Sequence, residues 1–266
     1  MNIAYIIAAP DYRRSSNGIH LLHKLADMIN KSGYEAYVNS KVTMKGVPTV
    51  YDKPELLRKL IIDGAIAIYP EAYRKNFLWS KNPVGWYLFV SEPFEFEREG
   101  LTFTFNKIYK DDVETLTIQD IEPFFNNESN FERKWNAVYI GKGQRDARLD
   151  SIPDKFIINR DIPDTRKKLA DLLKRSKALY TYDAFSYLAA EANFCGCPVV
   201  LLENGQNRIE LRGFSLGMVN DVEDIEKAKS QIEQHNLYYR DIINNSENEV
   251  TRFIKITQGW ARERIA

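Results

Sequence analysis

Cysteine is nearly absent from this chain. Its 266 residues include two, Cys195 and Cys197, one glycine apart. Neighbours at that spacing rarely form a structural disulfide, and two thiols do not complete a tetrahedral zinc site. The pair is expected to pack a helix-to-strand turn as small apolar groups. Excess charge is missing too, since 37 Lys plus Arg stand against 37 Asp plus Glu. That balance argues against binding nucleic acid by bulk electrostatics, so no nucleic-acid partner is expected. No apolar run approaches the roughly 20 residues needed to span a bilayer. The opening "MNIAYIIAAPDYRR" has no basic segment ahead of its apolar run and reads as a first strand rather than a signal peptide. A soluble protein of a reducing cytoplasm is the expectation. Low-complexity tracts, short repeats, the dinucleotide G-x-G-x-x-G fingerprint and the P-loop are all absent.

What is present is a regular alternation. Hydrophobic residues make up 44% of the chain, enough for a real core. Unbroken β-rich runs such as "NIAYIIAA", "AIAIYP", "VGWYLFVS", "NAVYIG", "ALYTY" and "PVVLL" suit strands buried on both faces of a parallel sheet. Helix-period segments lie between them. "NGIHLLHKLADMINKSG" puts Ile19, Leu22, Leu25, Ala26 and Ile29 on one face and ends at Gly33. "PDTRKKLADLLKRSK" groups Leu169, Leu172 and Leu173 behind Asp164, a candidate N-cap. Strands alternating with helices mean βαβ units. The alternation pauses at "IEPFFNNESNFERK", residues 121–134, which reads as an interdomain linker. The expected division is therefore 1–125 and 132–245, with an amphipathic 246–266 packing back on the first domain.

Chemistry concentrates in "YTYDAFSYLAAEANFCGCPVVLL", residues 180–202. A strand ending at Tyr182, a helix and a strand from Pro198 place Asp183 at a helix start and Glu191 two turns in. In open α/β sheets, ligands bind at the carboxyl ends of strands, where helix N-termini offer free N–H groups. Ser186 adds a hydroxyl near those amides, so a diphosphate is one suitable ligand. Asp183 cannot share that spot with a phosphate and would face sugar hydroxyls. Glu191 lies about 12 Å further along such a helix, where a carboxylate could accept two hydroxyls of a ribose. A plainer reading stays open, with Asp183 as an N-cap and Glu191 as a partly exposed helix acid. Upstream, "AVYIGKGQRD" sets Lys142 between Gly141 and Gly143, followed by Arg145. Glycines admit a ligand close to the backbone and Lys offers a point charge for phosphate. A solvated surface turn would look the same.

The order "YIGKG … LYTYDAFSYLAAEANFCGCPVVLL" resembles the donor-binding domain of GT-B glycosyltransferases, which carry two Rossmann-like domains. In their retaining branch an acid, seven residues and a Glu precede a small-residue turn and a "PVV" strand. Asp183 stands at the first acidic position, where Glu is usual, and Glu191 at the second. "SSNGIHLLHKLADMINKSGYEAYV" is similar to that class's early glycine loop, long helix and second strand. The resemblance implies an α/β fold of two Rossmann-like domains whose parallel sheets face a cleft. It implies transfer of a sugar from a nucleotide-diphosphate sugar to a glycan or lipid-linked acceptor, with no cofactor and no metal. Lys142 and Arg145 would neutralise the diphosphate, aided by Tyr182 and the amides around Ser186. Glu191 would hold ribose, Asp183 the transferred sugar, and the Asn17–Gly18 loop would approach the phosphates. Asp for Glu shortens the first acid by one methylene, so retention of configuration does not follow from the motif.

His20, just after that loop, is a candidate general base or sugar ligand, and Asp11, at the end of the first strand, is the alternative base; a helix residue with no catalytic duty would read like His20. "YRKNFLWSK" and "RKKLADLLKRSK" combine bases with apolar residues and would suit peripheral attachment to a membrane, although solvated faces would read alike. "KDDVE" at 110–114 reads as a solvated turn rather than a metal pair. Two other functions fit the same fold: a non-catalytic sugar-nucleotide or glycan binder, and a nucleotide-sugar epimerase.

Overall fold

A computed structural model describes residues 2–128, 131–141, 148–159, 161–183, 186–202 and 216–265. The chain divides into two compact units, Met1–Gln119 with Asn244–Ala266, and Asp120–Ile243.

The first unit begins β1 (Tyr5–Ile7), α1 (Asn17–Lys31), β2 (Ala36–Val38), α2 (Pro54–Ile62) and β3 (Ile66–Pro70). β4 (Asn82–Tyr87), β5 (Leu101–Thr104) and the short β6 (Glu114–Thr115) follow. All six strands are parallel, in the order β2-β1-β3-β4-β5-β6. β1 and β3 are buried at every residue, which explains why their sequences do not alternate. α1 buries the face expected of it, with Ile19, Leu22, Leu25, Ala26 and Ile29 all inside. It stops where Gly33 takes φ +83, a left-handed conformation that glycine adopts without steric cost.

The second unit contains β7 (Trp135–Tyr139), α3 (Arg148–Ser151), β8 (Lys155–Ile158), α4 (Arg166–Lys174) and β9 (Ser176–Thr181). α5 (Tyr187–Phe194), β10 (Val199–Leu201) and β11 (Met218–Val219) complete its order, and α6 (Ile225–Ile265) starts there. Its sheet is also parallel, ordered β11-β10-β9-β7-β8. The core beneath it gathers Ala137, Leu169, Leu173, Leu179, Ala190 and Phe194.

The expected fold class, two Rossmann-like α/β units on parallel sheets, is the one observed. Counted within each unit, the first sheet runs 2-1-3-4-5-6 and the second 2-1-3-4-5, so the winding reverses between β1 and β3 and again between β7 and β9. Crevices at such reversals, outside the strands' carboxyl ends, are where doubly wound sheets bind ligands.

Several details differ from the sequence reading, beginning with α4, which is capped by Thr165 rather than Asp164, its hydroxyl accepting from the Lys168 N–H at 3.3 Å. α5 starts at Tyr187, four residues later than expected, because Ser186 is its N-cap and accepts from the Leu188 N–H at 3.3 Å. The stretch 121–134 is not simply a connection, since Phe125 is buried in the second core. α6 is one continuous helix of 41 residues rather than a short terminal segment. Its last part joins the first unit. Gln258 accepts from the Ile3 N–H at 3.0 Å and donates to the Ile3 carbonyl at 2.7 Å, while Thr257 and the Tyr5 hydroxyl meet at 2.9 Å. No helix among the described residues is long and apolar enough to cross a membrane.

Candidate functional site

In the second unit the crevice is built by the residues that follow β7 and β9. Gly141 lies two residues past β7 at φ +58, and Asp183 two residues past β9. A Cβ on Gly141 would stand 2.6 Å from both Cβ and Oδ2 of Asp183. The two loops therefore touch at the point where the winding reverses. Backbone bonds fix the Asp183 side. The Tyr182 N–H donates to the Tyr139 carbonyl at 3.2 Å and the Asp183 N–H to the Thr181 hydroxyl at 3.0 Å. Asp183 is 6% exposed, a carboxylate held at the rim of the core rather than a solvated cap. It precedes α5 without capping it, which corrects the N-cap reading, although the Ser186 N–H does bond to its carbonyl at 3.3 Å.

Tyr182 contributes differently from expectation. Its ring is buried with Val138, Leu149 and Val200, and the Arg148 guanidinium lies 5.9 Å from the ring centroid. Lys142 and Arg145 lie outside the described residues.

Glu191 is neither an exposed helix acid nor beside Asp183 on one helix. It is 3% exposed, and both its carboxylate oxygens accept from Arg166, one of them at 3.0 Å. Arg166 also donates to both oxygens of Glu122, at 3.2 and 3.0 Å, and its guanidinium covers the Phe125 ring at 4.6 Å. Burial works against the Arg166 charge. The hydrogen bonds and charges of Glu191 and Glu122 outweigh it and raise its pKa. Sequence reasoning missed Arg166 and Glu122, because they are 44 residues apart and belong to no motif.

In the first unit the carboxyl ends of β1 and β3 carry a second polar group. The Asp11 Oδ1 accepts from the Val42 N–H at 2.9 Å and the Ser40 hydroxyl at 3.0 Å, and these bonds lower its pKa. His20 is buried and meets the Tyr12 hydroxyl through Nδ1 at 3.3 Å. His23 is held neutral. Its Nε2 donates to the Pro10 carbonyl at 3.1 Å, its Nδ1 accepts from the Met44 N–H at 3.4 Å, and burial lowers its pKa. Asn17 opens α1 with a buried Oδ1 that has no hydrogen-bond partner among the described residues. Gly18 has room for a Cβ, the nearest atom being Leu88 Cδ1 at 3.8 Å, so packing does not require glycine there. Glu71, directly after β3, accepts from the Leu88 N–H at 3.0 Å. The acid following "AIYP" was a legible but unused signal.

Two further groups are chemically quiet. Cys195 and Cys197 are free and buried, and burial pushes the Cys197 thiol up to about 12. No cluster of metal-ligating side chains occurs among the described residues. A cavity of about 840 Å³ lies around Gly196, Asn127, Arg133 and Asn236. Gly196 precedes β10, so this cavity sits at the amino end of the sheet, away from Gly141 and Asp183.

No protein-family model matches the sequence, and no curated protein is similar to it. Solved structures with a similar course include the glycosyltransferase SnogD from Streptomyces nogalater, at 10% identity and TM-score 0.49 over 96% of this chain and 99% of that one. The calicheamicin glycosyltransferase CalG4 is similar at 10% identity and TM-score 0.45 over 98% of each chain. An alpha-glucosyltransferase in complex with UDP and a 13-mer DNA is similar at 12% identity and TM-score 0.48 over 94% of each. Similarity at this level leaves the function to be argued from the chain's own residues.

Proposed function

We propose that this chain is a metal-independent glycosyltransferase of GT-B type, moving a sugar from a nucleotide-diphosphate sugar to a glycan or lipid-linked acceptor. The observation that carries this reading is the contact of Gly141 with Asp183 where the second sheet reverses its winding. A left-handed glycine that admits no side chain stands there against a nearly buried carboxylate. Lys142, directly after Gly141, and Arg145, shortly beyond it, would meet the diphosphate, supplying the positive charge that a metal supplies elsewhere. Asp183 would accept from hydroxyls of the sugar and stabilise positive character on its ring.

In the reaction the bond from the anomeric carbon to the diphosphate oxygen breaks and a bond from that carbon to an acceptor oxygen forms. The diphosphate leaves with the electron pair, and a base takes the acceptor's proton. His20 suits that duty better than Asp11, whose carboxylate is occupied by Val42 and Ser40 and held at a low pKa. The Asn17 Oδ1 is buried without a partner among the described residues, so a ligand hydroxyl would reach it only if the start of α1 shifted. Glu191 would hold ribose only by sharing its oxygens with Arg166.

A thermal-shift screen across UDP, GDP, ADP, CMP and dTDP is the first test, because a ligand of the folded state raises the midpoint by mass action. At least one diphosphate should do so. No response to any of them sinks the proposal. Release of free nucleoside diphosphate on adding an acceptor separates transfer from its rivals. Binding without release indicates a non-catalytic binder, and an altered donor sugar without release indicates an epimerase.

A further inference from the structure

The loop between β3 and β4 holds Trp79 in a conformation that a bulky L-residue rarely takes, φ +56, with the side chain 85% exposed. The turn around it is locked from inside. The Asn76 Oδ1 accepts from the Tyr69 hydroxyl at 2.6 Å and the Ser80 N–H at 3.0 Å, while its Nδ2 donates to the Ser80 carbonyl at 2.8 Å. The Trp79 N–H closes the turn on the Asn76 carbonyl at 3.1 Å. The fold thus fixes the backbone firmly and leaves the indole in water.

This turn lies at the amino edge of the first unit's sheet. Ser80 Oγ donates to the Ala65 carbonyl at 2.6 Å and Asn82 Nδ2 to the Gly64 carbonyl at 2.7 Å, joining it to the end of α2. Ile62 at that end is 67% exposed. Lys81 and Arg58 are exposed on the same segments and form no ion pair among the described residues. An exposed indole on a segment tied to the end of α2, with exposed aliphatic carbon and unpaired cations on the same two segments, matches the membrane–water interface, where tryptophan settles at headgroup level and basic residues meet anionic lipid. A second copy of the chain is a poorer match. A stable dimer buries about 1,200–2,000 Å² of continuous surface, whereas this edge offers separate protruding side chains.

We propose that this edge seats on an anionic membrane surface, with Trp79 inserted at headgroup level and Lys81 and Arg58 facing lipid phosphates. The inference extends the reading of a lipid-linked acceptor, yet it is measured without donor or acceptor and so can fail separately.

The test is co-sedimentation of the full chain with phosphatidylcholine vesicles, with and without phosphatidylserine. Binding is expected to the anionic vesicles and to weaken with added salt. Trp79→Gly should lower the partition about tenfold, and Lys81→Gln roughly fivefold, the equivalent of ~1 kcal/mol for one basic residue at an anionic surface. Glycine accepts φ +56 freely, so Trp79→Gly should keep or raise the thermal midpoint and the loss cannot be blamed on unfolding. Unchanged partition of Trp79→Gly overturns the proposal, as does failure to bind anionic vesicles. Self-association that Trp79→Gly abolishes would assign the edge to a second copy instead. A raised KM for a soluble glycan acceptor in that variant would make the indole a sugar-stacking platform, and would equally overturn it.

Discussion

At the residue scale, Asp183 and Glu191 come apart although a single motif joins them. Asp183 stands at the crevice against Gly141, where a carboxylate contributes charge as well as hydrogen bonds. Asn keeps the shape but loses the charge. Asp183→Asn is therefore expected to fold normally, keep nucleotide binding and lose at least about tenfold in kcat, or ~1.4 kcal/mol of transition-state stabilisation. Steady-state kinetics within twofold of the parent would make Asp183 a structural residue. Glu191 is first a partner of Arg166. Glu191→Gln removes one of the two carboxylates around a largely buried guanidinium, while Glu122 still holds the other side. Loss of a buried partner costs about 3–5 kcal/mol, and the surviving pair places this variant near the lower end. Urea unfolding measures that cost, and a loss under about 1 kcal/mol would show that the cluster behaves as a surface pair. The Asp183–Glu191 spacing was legible in sequence. Its meaning was not, because Arg166 approaches from another helix.

At the element scale, α5 shows where sequence signals stop. Asp183 and Ser186 are both good N-cap residues, and nothing local decides between them. Tertiary structure decides, because Asp183 is fixed by Thr181 and the β7 loop before the helix can begin. α1 was legible to its end because its apolar period and Gly33 agree. β8 is instructive in another way. Lys155, Phe156 and Ile157 are exposed at the edge of their sheet, so an apolar run need not be a buried one. α6 carries a pH prediction. His235 packs on Phe194 and Tyr239, and burial lowers its pKa to about 4. The unfolded chain takes up this proton below about pH 6.5, and the folded chain resists until about 4. Stability from the neutral imidazole is thus complete above pH 6.5 and lost as pH falls toward 4. The loss is roughly 3 kcal/mol between pH 7 and pH 4. His235→Phe should flatten that part of the stability–pH curve relative to the parent, and parallel curves from urea titrations would refute it.

At the scale of the whole molecule, parallel sheets, βαβ alternation and two units were all legible, because each follows from unbroken apolar runs separated by helical periods. The point of division was less so. Asn, Glu and Ser around 126–130 suggest a connection, yet the division falls at Gln119–Asp120, because Phe125 and Glu122 are claimed by α4 and its neighbours. The two units also predict where a nucleotide is felt. Hydrogen exchange with a binding diphosphate should slow at 139–141, at 181–183 and in the first turn of α5, all in the second unit. Protection confined to residues 1–119 would reverse the assignment of donor and acceptor units.

The first unit is discontinuous, since Ile3 and Tyr5 are bonded to Gln258 and Thr257. During synthesis β1 emerges 252 residues ahead of Thr257, its partner on α6. The second unit, unbroken from Asp120 to Ile243, can close on the ribosome while the first still waits for its final helical turns. The face of β1 that meets α6 is therefore secured only after the second unit has been made. A nascent chain stalled before Asn244 would expose the apolar surface of β1 that Phe253 otherwise covers.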